Sequence, residues 1–235
     1  MQSDRIGQKE WEGIVETIED AADYYQRMNR LVTFFRVDGW RRRAAQFSGV
    51  DLDVLEIGCG PGDFTALLRA RKLVCVEPSE KLMSIAERRI GDRAEFRLGE
   101  AEKLPVESGS FDRVFCSFSF RDFMDKEAAL REIFRALRKG GQLIILEIGK
   151  PDDSLKLTMM NVHLKYDVPF IARFVVPHSV LMARGENMYK ELWKSYQKYL
   201  PAKEYVGIMR RIGFTDVAWD DLTYGGGVLL RGSRT

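Results

Sequence analysis

Residues 55–63 read LEIGCGPGD and carry three glycines in five positions, directly after an apolar run. A strand, a glycine-rich turn and a following helix open many nucleotide-binding α/β domains, because glycines allow tight turns and let the backbone approach a ligand closely. A tight turn without a ligand is the alternative, since a glycine loop alone is a weak indicator of a site. The acidic residues near the loop decide between these interpretations.

Two carboxylates accompany the loop. Glu56 lies inside the first strand, and Glu77 ends the next strand twenty-one residues later. A carboxylate at the tip of the second strand can accept hydrogen bonds from both ribose hydroxyls of an adenosine. A carboxylate at position 56 would repel a pyrophosphate and attract a cation. The pair therefore favours S-adenosylmethionine over NAD, and the spacing of Gly58, Gly60 and Gly62 also departs from the G-x-G-x-x-G pattern of dinucleotide sites.

The composition excludes several other classes of protein. A chain of 235 residues with 45% hydrophobic residues predicts one α/β domain with an insertion, and a net charge of +2 gives no case for nucleic-acid binding. Cys59, Cys75 and Cys116 fit neither a disulfide framework nor a metal-ligand spacing, and there are only two histidines, so we expect a reducing cytoplasm and no metal site. The polar N-terminus and the absence of a long apolar run predict a soluble protein.

Strands alternate with helices from residue 53 onward, which predicts a Rossmann-like, doubly wound sheet. The predicted strands are 53–58, 73–77, 94–99, 111–119, 142–148, 214–221 and 227–231, and the predicted helices are 63–72, 80–90, 126–141 and 203–212. Residues 151–202 are rich in Met, Tyr and Phe and interrupt this alternation. Because so apolar a segment would not remain solvated, we expect a helical substrate cap inserted after the fifth strand.

The predicted organisation therefore has four parts. An N-terminal helical segment covers residues 1–50, with its second amphipathic stretch ending near Gly39. The cofactor-binding core covers residues 51–150, the cap 151–202, and the C-terminal part of the core 203–235.

The pattern E-x-G-x-G-x-G followed by an acidic strand end resembles the class I S-adenosylmethionine-dependent methyltransferases. GEAEKLP (99–105) and GSFDRVFCSFSF (109–120) resemble further segments of that family. The resemblance implies a seven-stranded sheet whose last strand is antiparallel. It also adds Thr65, Glu100, Ala101 and Ser117 to the cofactor contacts, with Glu100 capping the adenine amino group.

A narrower resemblance is to the ubiquinone/menaquinone C-methyltransferases, which methylate a ring carbon of a polyprenylated quinol. It rests on DYYQRMNRLVTFF (23–35), SFSFRDF (117–123), LEIGKP (146–151) and IGFTDVAWDDLTYGGGVLLRG (212–232). The chain departs from the family pattern where Asp122 replaces an asparagine and where Tyr25-Gln26 replaces a Tyr-Asp pair. In the cap, His163 or Tyr166 takes the place of a family tyrosine.

Four residues are candidates for catalysis. A ring carbon becomes nucleophilic when a neighbouring hydroxyl loses its proton, so the site needs a proton acceptor or a group that stabilises the phenolate. Arg121 and Asp122 follow the fourth strand at its carboxyl end, where α/β sheets bind ligands. Tyr166 and Tyr189 in the cap are placed to contact quinol oxygens. A surface ion pair and ordinary core aromatics are the respective alternatives.

Four questions stay open at this stage. The acceptor is a prenylated quinol, or a soluble phenol, amine, thiol or tetrapyrrole; an apolar tunnel to the surface would favour the first and a small closed pocket the second. A non-catalytic S-adenosylmethionine-binding module is a third hypothesis. The basic run WRRR (40–43) is either an ordinary helix face or a contact with anionic lipid. The second interpretation would place the protein peripherally at the inner face of the membrane, and a homodimer is a further hypothesis.

Overall fold

A computed structural model describes residues 4–182 and 189–235, and in it seven strands form one sheet. In chain order these are β1 Asp53–Ile57, β2 Lys72–Glu77, β3 Glu95–Leu98, β4 Phe111–Ser117, β5 Leu137–Ile148, β6 Thr215–Leu222 and β7 Gly227–Ser233. The spatial order is β3-β2-β1-β4-β5-β7-β6. β1 to β5 pair in parallel, and β7 is antiparallel to both of its neighbours. The predicted seven-stranded sheet with an antiparallel last strand is confirmed.

Helices pack on the sheet and also form two further parts of the protein, the N-terminal segment and the cap. The N-terminal segment contains α1 Gln8–Ala21, α2 Tyr25–Val32 and α3 Val37–Ala45. The core contains α4 Glu80–Ile90 and α5 Lys126–Ala136, and after the cap α10 Ala202–Ile212. The cap contains α6 Ser154–Val162, α7 Val168–Val175, α8 His178–Leu181 and α9 Tyr189–Lys198, with a π-helical turn His163–Asp167 between α6 and α7. Residues 183–188 of the predicted cap lie outside the described part.

Both faces of the sheet are buried, which explains the apolar runs in its central strands. Leu55 and Ile57 pack in one hydrophobic cluster, while Val54 packs in another on the opposite face. This follows from the alternation of side chains along a strand. The carboxyl ends of β1, β2 and β4 meet at one edge, where the loops that follow them build the site. In the described residues, no helix is both long and apolar enough to cross a bilayer.

Three predicted helix boundaries were wrong. Residues 63–72 contain only a short 3₁₀ turn, Thr65–Leu67, because Leu68 is already extended and returns the chain to β2. The helix predicted to reach residue 141 ends at Ala136, since the next residue pairs with Phe111 as the start of β5. In the N-terminal segment, α2 ends at Val32, and Gly39 lies inside α3 instead of terminating a helix.

Candidate cofactor and acceptor site

A cavity at the carboxyl ends of β1, β2 and β4 contains about 860 Å³ of space, part of it open to solvent. Most predicted cofactor residues line it, namely Glu56, Gly58, Gly60, Glu77, Glu100, Ala101 and Ser117. Gly62 and Thr65 are absent from this lining. Gly62 instead packs against α4, and Thr65 is fully buried near Glu56, whose pKa its hydroxyl lowers. These two residues support the cavity from behind its surface.

The three glycines of the loop differ in how closely neighbouring atoms pack around them. Gly58, with φ of 69°, lies so close to Ser119 that an added Cβ would come within 2.5 Å of the serine Cβ. Gly62, with φ of 81°, would bring a Cβ to 3.3 Å from Ala86 on α4. Gly60 also has a positive φ, but no atom lies within 4 Å of the Cβ position. The loop is therefore closely packed at Gly58 and Gly62 and open at Gly60, where a ligand can approach the backbone.

Glu77 is held at the tip of β2 by two backbone amides. Gly60 N donates to Glu77 Oε2 at 2.8 Å, and Ser79 N donates to Oε1 at 3.1 Å. Burial raises the pKa of Glu77 to about 7, against these two hydrogen bonds. A carboxylate has about four lone-pair sites, so both oxygens can still accept hydrogen bonds from a ribose.

Glu56 forms a buried acidic floor below the loop. Glu56 is only 1% exposed, and burial raises the pKa of its carboxyl group to about 8. The Thr65 hydroxyl and the nearby Arg41 guanidinium oppose this rise. A cationic ligand in the cavity would favour the ionised form further. The floor is therefore suited to an ammonium or sulfonium group.

Ser117 offers an independent test of the fit to S-adenosylmethionine. Ser117 lines the cavity, and its buried hydroxyl oxygen has no hydrogen-bond partner among the described residues. Buried hydroxyls are normally hydrogen-bonded, so an unpaired one on a residue that lines a cavity is consistent with a polar ligand there. Together with the acidic floor and the open glycine, it fits the polar amino-acid end of this cofactor.

A second, larger cavity adjoins the first. It encloses about 2420 Å³ of space open to solvent and lies between α1, α2, the cap and the turn after β6. Tyr25, Phe118 and Asp122 line both cavities and mark the junction. Its lining includes three largely exposed residues, Phe34, Met159 and Tyr224, with exposed fractions of 70%, 63% and 90%.

Arg121 lines the larger cavity and belongs to a buried ion-pair network. Arg121 Nη2 is 2.9 Å from Asp122 Oδ2, and Arg121 Nη1 is 2.9 Å from Glu147 Oε1. Its Nε also donates to Ser195 Oγ on α9 at 3.1 Å. The alternative of a surface ion pair is therefore wrong, because Arg121 is 6% exposed. Two carboxylates already neutralise the guanidinium, which limits its capacity to stabilise a phenolate.

The structure separates the two cap tyrosines. Tyr189 lines the larger cavity. Tyr166 is 59% exposed and lines neither cavity. The Lys165 Nζ atom lies 5.3 Å from the centroid of the Tyr166 ring. The predicted contact of Tyr166 with the acceptor is corrected, because the helical turn directs it to the outer face of the cap. His163, the other candidate for that position, does line the cavity, and its Nε2 lies 2.8 Å from Val32 O.

Sequence reasoning did not assign roles to three residues of the site. Tyr25 lines both cavities, Arg41 lines the smaller one at the carboxyl ends of β1, β2 and β4, and Glu147 pairs with Arg121. Tyr25 and Glu147 lie inside segments that carry the family resemblance, and that resemblance was the feature of the sequence that could have identified them. Arg41 was hidden in the basic run, where helical periodicity alone did not distinguish its buried position from the exposed Arg42 and Arg43.

The sheet order, the glycine loop and the two acidic strand tips define a class I methyltransferase with S-adenosylmethionine as its methyl donor. The model of the ubiE/COQ5 methyltransferase family matches residues 6–233, and the chain belongs to that family.

Similar proteins agree with this assignment. The chain is 28% identical to a demethylmenaquinone methyltransferase of Lactococcus lactis, covering 93% of this chain and 87% of the relative. It is 29% identical to one of Thermotoga maritima, covering 93% and 95%. The crystal structure of a SAM-dependent methyltransferase from Thermotoga maritima shares the fold, with a TM-score of 0.66 and 23% identity over 94% of this chain and 100% of that one.

Proposed function

We propose that this enzyme methylates a ring carbon of a polyprenylated quinol, either a naphthoquinol or a benzoquinol. The observation that carries the proposal is the larger cavity, here called the acceptor cavity, which shares lining residues with the cofactor cavity and includes exposed apolar side chains such as Phe34 and Met159. A small soluble phenol or amine would need only a closed pocket. The names of the two demethylmenaquinone methyltransferases favour the naphthoquinol.

The cofactor side of the proposal rests on the cavity lining. We assign its contacts to Glu56, Gly58, Gly60, Glu77, Glu100, Ala101 and Ser117, with Gly62 and Thr65 supporting the loop and the acidic floor. When bound, S-adenosylmethionine supplies an electrophilic methyl group. The protein has to hold the acceptor carbon in line with that methyl and keep bulk water away from it.

Asp122 is the best-placed proton acceptor. In the reaction a ring carbon gains the methyl group, and the quinol loses one proton overall. Asp122 lines both cavities, whereas Arg121 lines only the larger one and donates hydrogen bonds to both carboxylate oxygens of Asp122. We therefore assign the proton to Asp122, directly or through one water, and a positioning role to Arg121. Tyr189 is assigned to the wall that contacts the acceptor.

The decisive experiment compares methyl transfer from labelled S-adenosylmethionine to three acceptors. These are a prenylated demethylnaphthoquinol, the same ring with a one-carbon side chain, and a soluble catechol. We expect the highest kcat/KM for the prenylated quinol, because its tail fills the apolar cavity. Activity restricted to the catechol would contradict the proposal.

A cavity-filling variant sharpens this comparison. Met160 lines the acceptor cavity, while Thr158 lies on the same helix, exposed and outside both cavities. Met160→Trp should reduce kcat/KM for the prenylated quinol by about tenfold and leave the short-chain ring less affected, since about 1–3 kcal/mol is typical for a misfit in an apolar pocket. Thr158→Trp should change neither value.

We further propose that the cap contacts the membrane in which a prenylated acceptor would reside. The outer face of α6, the π turn and α7 presents large apolar residues at helical spacing, namely Leu155, Met159, Val162, Tyr166, Phe170 and Phe174, all substantially exposed. Lys156, Lys165 and Arg173 are exposed on the same helices. An amphipathic surface of this kind is typical of a peripheral contact with anionic lipid. The basic run is less suitable, because Trp40 and Arg41 are buried.

Flotation with phosphatidylcholine vesicles, with and without phosphatidylglycerol, tests this contact. Phe170→Ser combined with Phe174→Ser should weaken binding to the anionic vesicles, whereas Arg42→Gln combined with Arg43→Gln should have a smaller effect. Unchanged binding by the phenylalanine variant would contradict the proposed surface. Loss of a homodimer in that variant, without any vesicle binding by the original protein, would assign the same face to pairing of two copies.

A further inference from the structure

Arg41 is a buried cation that forms no ion pair with a carboxylate within bonding distance among the described residues, although its charge acts on Glu56. Arg41 lies on α3, is 3% exposed and lines the cofactor cavity. Its Nε has no hydrogen-bond partner within residues 4–182 and 189–235. An unpaired buried charge is unfavourable, so its presence beside a cavity indicates an anionic ligand.

The position of Arg41 is fixed by its neighbours. The indole N–H of Trp40 donates to Thr223 Oγ at 2.9 Å, and its ring packs against Gly227, where an added Cβ would lie 3.1 Å away. The guanidinium of Arg41 stacks over the Phe118 ring, 5.6 Å from its centroid. These contacts anchor α3 to the C-terminal hairpin and hold the guanidinium at the cavity wall.

The charges in the cavity are complementary to a zwitterion. Glu56 and Glu77 provide negative charge for the ammonium group and hydrogen-bond acceptors for the ribose. The α-carboxylate of the cofactor needs a positive partner, and Arg41 is the only basic side chain among the described residues that line this cavity. A guanidinium matches a carboxylate well because it offers two parallel N–H donors.

We propose that Arg41 binds the α-carboxylate of S-adenosylmethionine. Glu56 and Arg41 then hold the two charged ends of the amino-acid portion from β1 and from α3. The N-terminal segment thereby completes a cofactor site that the glycine loop and the strand tips leave open on one side. The inference concerns the cofactor alone and holds whatever acceptor the enzyme methylates.

Two other roles for Arg41 make different predictions. A contact with the acceptor is disfavoured by position, because Arg41 does not line the acceptor cavity. A role as a mere counterion of Glu56 has support from their proximity, since the guanidinium favours the ionised form of that carboxyl. If that were its whole contribution, removing Arg41 would affect ligands with and without a carboxylate alike.

Calorimetric titration with two ligands separates these roles. The ligands are S-adenosylhomocysteine and its decarboxylated analogue, which keeps the adenosine, the sulfur and the amine. The original protein should bind the analogue about 10- to 100-fold more weakly, the range expected for a charge-assisted contact. Arg41→Gln should lose a similar factor for S-adenosylhomocysteine and change little for the analogue.

Controls come from the same helix. Arg42→Gln, at an exposed neighbouring position, should bind both ligands as the original protein does, and Arg41→Lys should recover part of the lost affinity. Equal weakening of both ligands by Arg41→Gln would overturn the proposal in favour of the counterion role. Equal affinity of the original protein for the two ligands would overturn it without any variant, so a folding defect cannot hide the answer.

Discussion

Arg121 and Glu147 form an ion pair inside the protein, with 2.9 Å between Nη1 and Oε1. The same carboxylate accepts a hydrogen bond from the Arg121 backbone amide at 3.1 Å. Burial raises the pKa of Glu147, and the Arg121 guanidinium opposes that rise. The pair ties the turn after β4 to the end of β5, and it keeps Asp122 at the wall between the two cavities.

Removing the Glu147 carboxylate should destabilise the protein strongly. Glu147→Ala leaves Arg121 with one of its two buried counterions, and breaking a buried pair typically costs about 3–5 kcal/mol. Urea unfolding followed by circular dichroism measures the free energy of unfolding. Glu147→Gln keeps the shape and should lose less, whereas the double change Arg121→Met with Glu147→Leu should recover much of the loss. A loss below about 1 kcal/mol for Glu147→Ala would contradict the buried pair.

Neutralising Glu56 should stabilise the cofactor-free enzyme while abolishing cofactor binding. Burial raises the pKa of this carboxyl from 4.5 to about 8 in the folded state. The folded protein therefore keeps a proton that the unfolded chain loses above its ordinary pKa. Stability of the cofactor-free enzyme falls as the pH rises from about 4.5 to about 8, and the full penalty is present above that window.

Glu56→Gln removes this penalty. At pH 8 we expect its free energy of unfolding to exceed that of the original protein by at least about 1 kcal/mol, with little difference near pH 4.5. Thermal or urea unfolding across this pH range provides the measurement. A lower stability of Glu56→Gln at pH 8 would show that the carboxylate is better compensated than its burial indicates.

The cofactor loop was predictable because its signal is local. Glu56, the glycines and Glu77 sit at fixed distances along two strands and one turn, and their side chains meet because parallel strands end at the same edge of the sheet. The antiparallel last strand and Ser117 came from family resemblance, and both fit the observed sheet and cavity.

Contacts made between distant segments were not predictable in the same way. Arg41 reaches the cavity because Trp40 packs on Gly227, a contact that no local pattern encodes. In the cap, Tyr166 is of a residue type that suits contact with a quinol oxygen, but it lies on the outer, exposed face of its helical turn. Between Asp63 and Lys72 the amino-acid composition predicts a helix, but the chain has to extend from Leu68 in order to reach β2, so only a short 3₁₀ turn forms.

Cofactor binding should release protons near neutral pH. The pKa of Glu56 is raised to about 8 and that of Glu77 to about 7, both chiefly by burial. A bound ammonium group favours the ionised form of Glu56, and ribose hydroxyls that donate to Glu77 favour its ionised form as well. Affinity for S-adenosylhomocysteine should therefore increase as the pH rises from about 6 to about 8.

Calorimetry in buffers with different ionisation enthalpies counts these protons. At pH 7 we expect a net release, and Glu77→Gln should retain the share contributed by Glu56. Net proton uptake, or affinity that declines over this pH range, would be inconsistent with the two raised pKa values.

Tyr25 should contribute to methyl transfer, whereas Tyr166 should not. The Tyr25 side chain lines both cavities, where its hydroxyl can hydrogen-bond to an oxygen of the acceptor, and burial raises its pKa, which keeps the phenol protonated as a donor. Tyr25→Phe should lower kcat by about tenfold or more, because a hydrogen bond to the developing phenolate is lost.

Steady-state assays with labelled S-adenosylmethionine, combined with calorimetric affinities for S-adenosylhomocysteine, separate catalysis from cofactor binding. Tyr25→Phe should leave that affinity within about twofold, and Tyr166→Phe, at an exposed position, should leave both quantities within the same range. If Tyr166→Phe lost more activity than Tyr25→Phe, the acceptor would have to bind against the outer face of the cap, and the large cavity would lose its assigned role.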